Sequence, residues 1–202
     1  MAKKASGGLI VLFVIIGLIV VGFGAYKSMQ NRLVTLDENV ESAWAQVQNQ
    51  YQRRYDLIPN LVSTVKGYAS HEKEVFENVA NARANAGGQL MITSDILNDE
   101  AAFARFQQAQ DELGSSLRRL LAVSENYPEL KADQNFLALQ DQLEGTENRI
   151  TTERMRYIDA VKSYNIEIRK FPVSFFARNM GFEKKATFTA ASDVQSAPKV
   201  EF

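Results

Sequence analysis

The sequence predicts an all-α protein, in which an N-terminal transmembrane helix precedes an antiparallel bundle of three to four long helices. Three observations lead to this prediction. Residues 5–26 carry no charged side chain, apolar residues further along recur every three or four positions, and segments with that period are separated by breaks rich in Gly or Pro. No window alternates apolar and polar residues as a half-buried strand would.

The N-terminal segment "GGLIVLFVIIGLIVVGFGAY" predicts a membrane span at about residues 7–26, within an anchor covering residues 1–30. About 20 apolar residues at ~1.5 Å each cross the ~30 Å hydrocarbon core of a bilayer. A cleaved signal peptide is the alternative, but the run exceeds the usual ~7–15 residues of such a peptide's apolar region. The side chains expected in or at the edge of the bilayer are Leu9, Ile10, Phe13, Ile16, Val20, Phe23 and Tyr26.

The distribution of charge limits the classes of partner. The chain has 23 Lys and Arg against 24 Asp and Glu; without Lys3, Lys4 and Lys27, 20 bases face 24 acids, a net charge of −4. Because nucleic-acid affinity depends on basic patches, we exclude a nucleic-acid partner. The lysines before the span, and the acids that begin at Asp37, slightly favour a body on the extracytoplasmic side.

The body shows helical apolar stripes over residues 33–69, 103–124 and 136–168. The breaks at 85–99 and 125–133 separate them, and Asp133 is placed to cap the last long helix. These stripes predict a bundle over residues 31–188. The small, polar composition of residues 189–202 predicts a disordered tail.

Pro59 interrupts the first stripe, in "RRYDLIPNLVSTVKGYASHE" at residues 53–72. A proline inside a helix leaves the carbonyl four residues earlier without its donor and costs ~3 kcal/mol or more. The apolar stripe nevertheless continues on both sides, which favours a continuous helix kinked at Pro59. A new helix starting there is the alternative, and it would have Ile58 as a poor N-cap.

Charged and amide side chains form a candidate polar interaction patch. Spacings of three and four residues place the members near Pro59 on one helix face. Glu147 and Arg154 lie seven residues apart beside the third apolar stripe, where they either pair with a neighbouring helix or remain exposed at its edge. The patch comprises Arg53, Arg54, Asp56, Asn60, Glu147 and Arg154.

An apolar cluster surrounds Arg178 in "FPVSFFARNMGF", at residues 171–182. We expect either a lid folded over one end of the bundle or an exposed patch that associates with another copy or with a membrane surface. The residues concerned are Phe175, Phe176, Met180 and Phe182.

Three long stretches are distinctive: the 53–72 segment already quoted, "ENYPELKADQNFLALQDQLEGTENRITTERMRYIDAVKSYN" at 125–165 and "IRKFPVSFFARNMGFEKK" at 168–185. Together they resemble the LemA family of bacterial membrane-associated proteins. The resemblance implies an N-terminal membrane segment followed by a bundle of long helices, in a bacterial membrane. It supplies no catalytic residues.

The sequence offers no set of residues for catalysis, a metal or another cofactor. Cysteine is absent, and His71 is the only histidine. We therefore expect a non-enzymatic, membrane-anchored scaffold or adaptor of the bacterial envelope, passing once through the cell membrane. Its expected partners are the lipid bilayer, further copies of itself and other membrane proteins. The alternative is a signalling or envelope-stress component that uses the Pro59 kink as its switching element.

Overall fold

The computed structural model describes residues 3–90 and 94–189, with side chains described for residues 8–88 and 96–189. The predicted all-α class is confirmed, since no strand occurs in this part of the chain. The α-helices are α1 (Lys3–Tyr68), α2 (Lys73–Leu90), α3 (Glu100–Val123), α4 (Pro128–Lys131), α5 (Gln134–Glu167) and α6 (Val173–Phe176). Single 3₁₀ turns cover Ser94–Asn98, Ser124–Asn126 and Arg178–Met180.

Helix α1 is one uninterrupted helix of 66 residues, about 100 Å long at ~1.5 Å per residue. Its first third is the apolar segment, whose large side chains all remain exposed, between 46% and 69% for residues 9–23. By length and composition, this helix is long and apolar enough to cross a bilayer. Within the helix, the Thr35 hydroxyl donates to the carbonyl of Asn31 at 3.0 Å.

The bundle contains four long helices. Helix α1 ends at Tyr68, the chain turns over residues 69–72, and α2 runs back along the bundle. The body half of α1 packs antiparallel to α5, and α2 packs antiparallel to α3. Asp99 and Asp133 cap α3 and α5, accepting from backbone N–H groups at 2.8–3.0 Å. The cap expected at Asp133 is thus present.

Two large apolar clusters fill most of the interior, and a smaller one of Leu33, Val173 and Ala177 lies at one end of the bundle. The membrane-proximal cluster is built on Trp44, whose ring centroid lies 5.2–6.4 Å from four other aromatic rings. The distal cluster is aliphatic, with Phe136 as its one buried aromatic ring. The rings around Trp44 are those of Phe103, Phe106, Tyr157 and Phe188, and the distal cluster includes Ile58, Leu61, Val65, Leu113, Leu117, Leu120, Leu130 and Leu143.

The segment 182–189 closes the membrane-proximal cluster. Phe188 is buried in that cluster, and the hydroxyl of Tyr157 donates to the carbonyl of Ala186 at 2.8 Å. Burial raises the pKa of the Tyr157 phenol well above its usual range, so this donor stays protonated. The predicted disordered tail lies outside the described residues, apart from Thr189.

Candidate functional site

A polar layer separates the two apolar clusters. Arg54 of α1, Gln110 of α3 and Thr146 of α5 are each at most 3% exposed, and all three lie between the clusters along the bundle. Arg54 Nη1 lies 3.1 Å from Glu147 Oε1, while Arg54 Nη2 donates to Gln110 Oε1 at 2.6 Å and to the Gln110 carbonyl at 3.1 Å. One guanidinium therefore joins three helices.

Only some of the buried polar atoms in this layer have hydrogen-bond partners. Arg54 Nε and Gln110 Nε2 are buried and have no hydrogen-bond partner among the described residues. Glu147 remains 43% exposed, so the charge opposite Arg54 lies at the protein surface. The guanidinium also lies over the Tyr51 ring, 5.0 Å from its centroid. Burial raises the pKa of Tyr51, although Arg154 and Arg54 oppose that shift.

A cleft of about 590 Å³ leads from the surface to this layer. Three guanidinium groups and two carboxylates line it, so it can bind a polar or charged group. None of the described residues forms a cluster of three or more His, Cys, Asp and Glu suited to a metal ion. The charged lining residues are Arg54, Arg118, Arg154, Asp111 and Glu147.

The structure divides the predicted polar patch into separate parts. It brings Arg54 and Glu147 together, and it places Arg154 Nη1 3.9 Å from Asp111 Oδ1 at the edge of the same cleft. Arg53, Asp56 and Asn60 instead lie on the exposed face of α1. Asp56 accepts from Gln52 Nε2 at 2.8 Å, an ordinary contact between successive helical turns.

Sequence reasoning missed Gln110, although the signal was present. Gln110 follows Phe106 by four residues and precedes Leu113 by three, so it occupies a core-facing position of the second apolar stripe. A polar residue at such a position needs a partner when it is buried. That partner, Arg54, lies 56 residues earlier in the chain.

A second notable site is the contact between α1 and α2 beside Pro59. Helix α1 continues through Pro59, as expected from its apolar stripe. Arg83 of α2 donates from Nε to the carbonyl of Tyr55 at 3.4 Å, and its guanidinium carbon lies 3.8 Å from the Tyr55 ring centroid. Gly87, one turn further along α2, leaves room for that ring: a Cβ there would lie 2.8 Å from Tyr55 Cε2.

The predicted apolar patch lies at the end of the bundle nearest the apolar part of α1. Met180 and Phe182 pack against Leu33, Val173 and Ala177, so this part of the patch covers the bundle end. The Phe176 ring meets that of Tyr26 edge to face, with centroids 5.8 Å apart. Phe175, by contrast, is 74% exposed. Part of this cluster therefore covers the bundle end, while Phe175 is exposed.

Comparison with known proteins confirms the resemblance drawn from the sequence. A family model described as the LemA family matches residues 43–202. Magnetosome protein MamQ 2 of Paramagnetospirillum magneticum is 32% identical, over 92% of this chain and 74% of its own length. Magnetosome protein MamQ of Magnetospirillum gryphiswaldense is 28% identical, over 78% of this chain and 64% of its own. Protein LemA of Metamycoplasma hominis is 20% identical, over 89% of this chain and 78% of its own.

Proposed function

The chain belongs to the LemA family of membrane-associated helical proteins, and from this premise we propose that it acts as a non-enzymatic, membrane-anchored scaffold or adaptor of the bacterial envelope. We further propose that it associates with copies of itself and with other membrane proteins. A single membrane span would hold its body on the extracytoplasmic side.

The continuity of α1 supports this proposal most strongly. The same helix supplies the apolar segment and one of the four long helices of the bundle, with no break between Lys3 and Tyr68. A body joined in this way is rigidly connected to the span. Confinement to one membrane also raises the effective concentration of neighbouring proteins for one another.

A polar cleft between α2 and α3 offers a surface for such partners. It has a volume of about 840 Å³, and most of its lining side chains are polar, five of them amides, which both donate and accept hydrogen bonds. That chemistry suits the polar surface of another protein, including a second copy of this chain. The amides are those of Asn78, Asn81, Asn85, Gln107 and Gln108.

Single-cysteine crosslinking in native membranes tests self-association, and it is straightforward because the chain has no cysteine. Asn81→Cys places a thiol at the proposed surface, and Asn148→Cys places one on the exposed face of α5 as a matched control. We expect crosslinked dimers, or crosslinks to neighbouring proteins, from the thiol at position 81 in excess over those from the thiol at position 148. Equal yields at both positions would contradict the cleft as the contact surface, and a strictly monomeric protein at both would contradict self-association.

The Asn148→Cys variant also tests orientation. A thiol reagent that cannot cross membranes should label it in intact cells if the body is extracytoplasmic. Labelling only after the cells are opened would place the body in the cytoplasm.

A second candidate function is a signalling component that switches at Pro59. The Arg83 contact with Tyr55 favours it, because a contact between α1 and α2 at the proline would couple the positions of these helices. Under this proposal, Pro59→Ala in the Asn81→Cys background changes the pattern of crosslinks in membranes while the bundle stays folded. An unchanged pattern with a stabilised bundle would leave Pro59 with a structural role only.

A further inference from the structure

Two exposed aromatic rings lie beside the point where α1 leaves its apolar segment. Phe171 is 88% exposed and Phe175 is 74% exposed. The Phe175 ring contacts that of Phe176 edge to face at 5.1 Å, and Phe176 in turn contacts Tyr26. Tyr26 is the last residue of the uncharged segment, so the rings of Phe175 and Phe176 lie at the level where the span meets water.

The position of these rings is fixed by packing. Val173 and Ala177 are buried against Leu33 of α1, and Met29 packs on the same cluster. Arg32 Nε, from the same part of α1, lies 3.1 Å from Glu167 Oε1. Since α1 is continuous through this region, segment 168–182 is held at a constant height relative to the span.

The surrounding charge is basic. Residues 26–33 and 167–182 contain five Lys and Arg and a single acid, Glu167, in a chain whose acids outnumber its bases. Glu167 already pairs with Arg32 and Lys170. The other three bases, Lys27, Arg169 and Arg178, are exposed and form no ion pair with any described residue.

Exposed phenylalanine rings flanked by unpaired cations match the chemistry of an anionic membrane surface. Phenylalanine rings on a membrane-surface segment insert at the boundary of headgroups and acyl chains, and basic side chains near it attract anionic headgroups. We propose that segment 168–182 is a second membrane contact, in which Phe171 and Phe175 insert at the interface while Lys27, Arg169 and Arg178 bind anionic lipid headgroups. This inference rests on the anchoring of α1 in the membrane, which its test measures separately.

Fluorescence quenching in liposomes tests the insertion of the rings. A fluorophore on Ser174→Cys reports on the segment and leaves both rings intact, while one on Asn135→Cys reports on the opposite end of the bundle. A third, on Val20→Cys, reports on the span. Full-length protein is reconstituted in phosphatidylcholine with phosphatidylglycerol, and quenchers are attached to the lipids at headgroup or acyl-chain depth.

We expect the headgroup-depth quencher to act several-fold more strongly at position 174 than at 135, and the acyl-chain quencher to act most strongly at position 20. Phe171→Ser with Phe175→Ser should lower the quenching at 174 several-fold. Equal quenching at 174 and 135, or no effect of the double substitution, would overturn the inference while leaving the anchor intact. Absence of quenching at position 20 would overturn the anchor itself.

A second copy of the chain is the competing occupant of this face. If it binds there, the fluorophores at position 174 quench one another, lipid quenchers have no effect, and dilution with unlabelled protein restores the signal. That result would overturn the membrane contact.

The basic residues are tested by Arg169→Gln with Arg178→Gln in the Ser174→Cys background. Adding phosphatidylglycerol should increase quenching at 174 in the parent, and this increase should fall several-fold in the variant. Arg119→Gln with Arg149→Gln removes two exposed bases elsewhere on the bundle and should leave the increase unchanged. Equal responses in both variants would overturn the headgroup contact.

Discussion

Arg83 donates a hydrogen bond to the carbonyl oxygen of Tyr55, the group that Pro59 leaves without its helical donor. The same guanidinium stacks on the Tyr55 ring at 3.8 Å. A neighbouring helix therefore replaces the missing bond, which helps to explain why α1 continues through a proline that costs ~3 kcal/mol in an ordinary helix interior.

We predict that Pro59→Ala stabilises the bundle by about 1–2 kcal/mol, less than the full proline penalty. The gain in stability is reduced because Arg83 already donates a hydrogen bond to the Tyr55 carbonyl. It is also reduced because replacing proline increases the conformational entropy of the unfolded chain. In the parent, Arg83→Ala should cost about 1–2 kcal/mol through the lost hydrogen bond and stacking. Chemical unfolding of both single variants and the double variant measures these values.

The Pro59→Ala, Arg83→Ala double variant tests whether Arg83 replaces the hydrogen bond that Pro59 removes. With alanine at position 59, the backbone N–H again donates to Tyr55, so Arg83→Ala should cost about 0.5–1 kcal/mol less than in the parent. Equal costs in the two backgrounds would show that Arg83 acts through the ring alone.

Two adjacent glycines of α2 should respond to alanine with opposite signs. At Gly87 a Cβ would lie 2.8 Å from the Tyr55 ring, so Gly87→Ala should destabilise the bundle by about 1–3 kcal/mol. At Gly88 nothing lies within 4 Å, and removing a helical glycine should stabilise by about 0.5–1 kcal/mol. Thermal unfolding followed by circular dichroism measures both. A destabilising Gly88→Ala would mean that this part of α2 is not helical in solution.

The sequence predicts the helices well because their signals are local. The three-and-four spacing identifies the long stripes, Asp133 marks a helix start, and the apolar residues around Pro59 indicate continuity. The turn at residues 69–72 is harder to place, since the segment around it carries neither a proline nor a glycine pair. The first stripe ends at Ala69, and α2 lies beyond it without a predicted stripe of its own, so the sequence marks the boundary between α1 and α2 only with Gly67.

The polar layer depends on how the helices rotate against one another, which no local pattern specifies. Arg53 and Arg54 are adjacent and chemically alike, yet Arg53 is exposed and Arg54 is 3% exposed. Only the packing of α1 against α3 and α5 distinguishes them. Phe188 is a similar case, because its burial depends on the path of the chain after α5.

The Arg54–Glu147 pair should show energetic coupling in a cycle of single and double variants. Glu147→Leu leaves a buried guanidinium without its carboxylate, and we expect a cost of about 2–4 kcal/mol. Arg54→Met frees the 43% exposed Glu147 to turn to water but removes the donor from the two buried oxygens of Gln110, and we expect a cost of about 1–3 kcal/mol. The double variant should cost less than the sum of the two, because the charge that Glu147→Leu leaves unpaired is absent from it. Chemical unfolding measures all three, and additive costs would contradict this account.

The contact between Asp133 and Tyr68 should make stability depend on pH at both extremes. The backbone N–H of Phe136, followed by the Tyr68 hydroxyl, holds the pKa of Asp133 below its usual value. The stabilising effect of this carboxylate is therefore complete above its unfolded pKa of about 3.9 and is lost as pH falls through the lower folded pKa. The hydrogen bond to Asp133 raises the pKa of Tyr68, so its contribution is complete below about pH 10 and is lost as pH rises through the higher folded value.

Melting temperatures recorded across the pH range test this prediction with two variants. Asp133→Asn should lower the melting temperature by a few degrees near neutral pH, and its difference from the parent should shrink as pH falls below about 4, because the parent then loses the same carboxylate. Asp141→Asn is the matched control, since Asp141 is exposed on α5 and accepts no hydrogen bond from the described residues. The melting temperature of Asp141→Asn should match that of the parent at every pH. An Asp133→Asn curve parallel to that of the parent down to strong acid would show that the cap does not titrate as its contacts require.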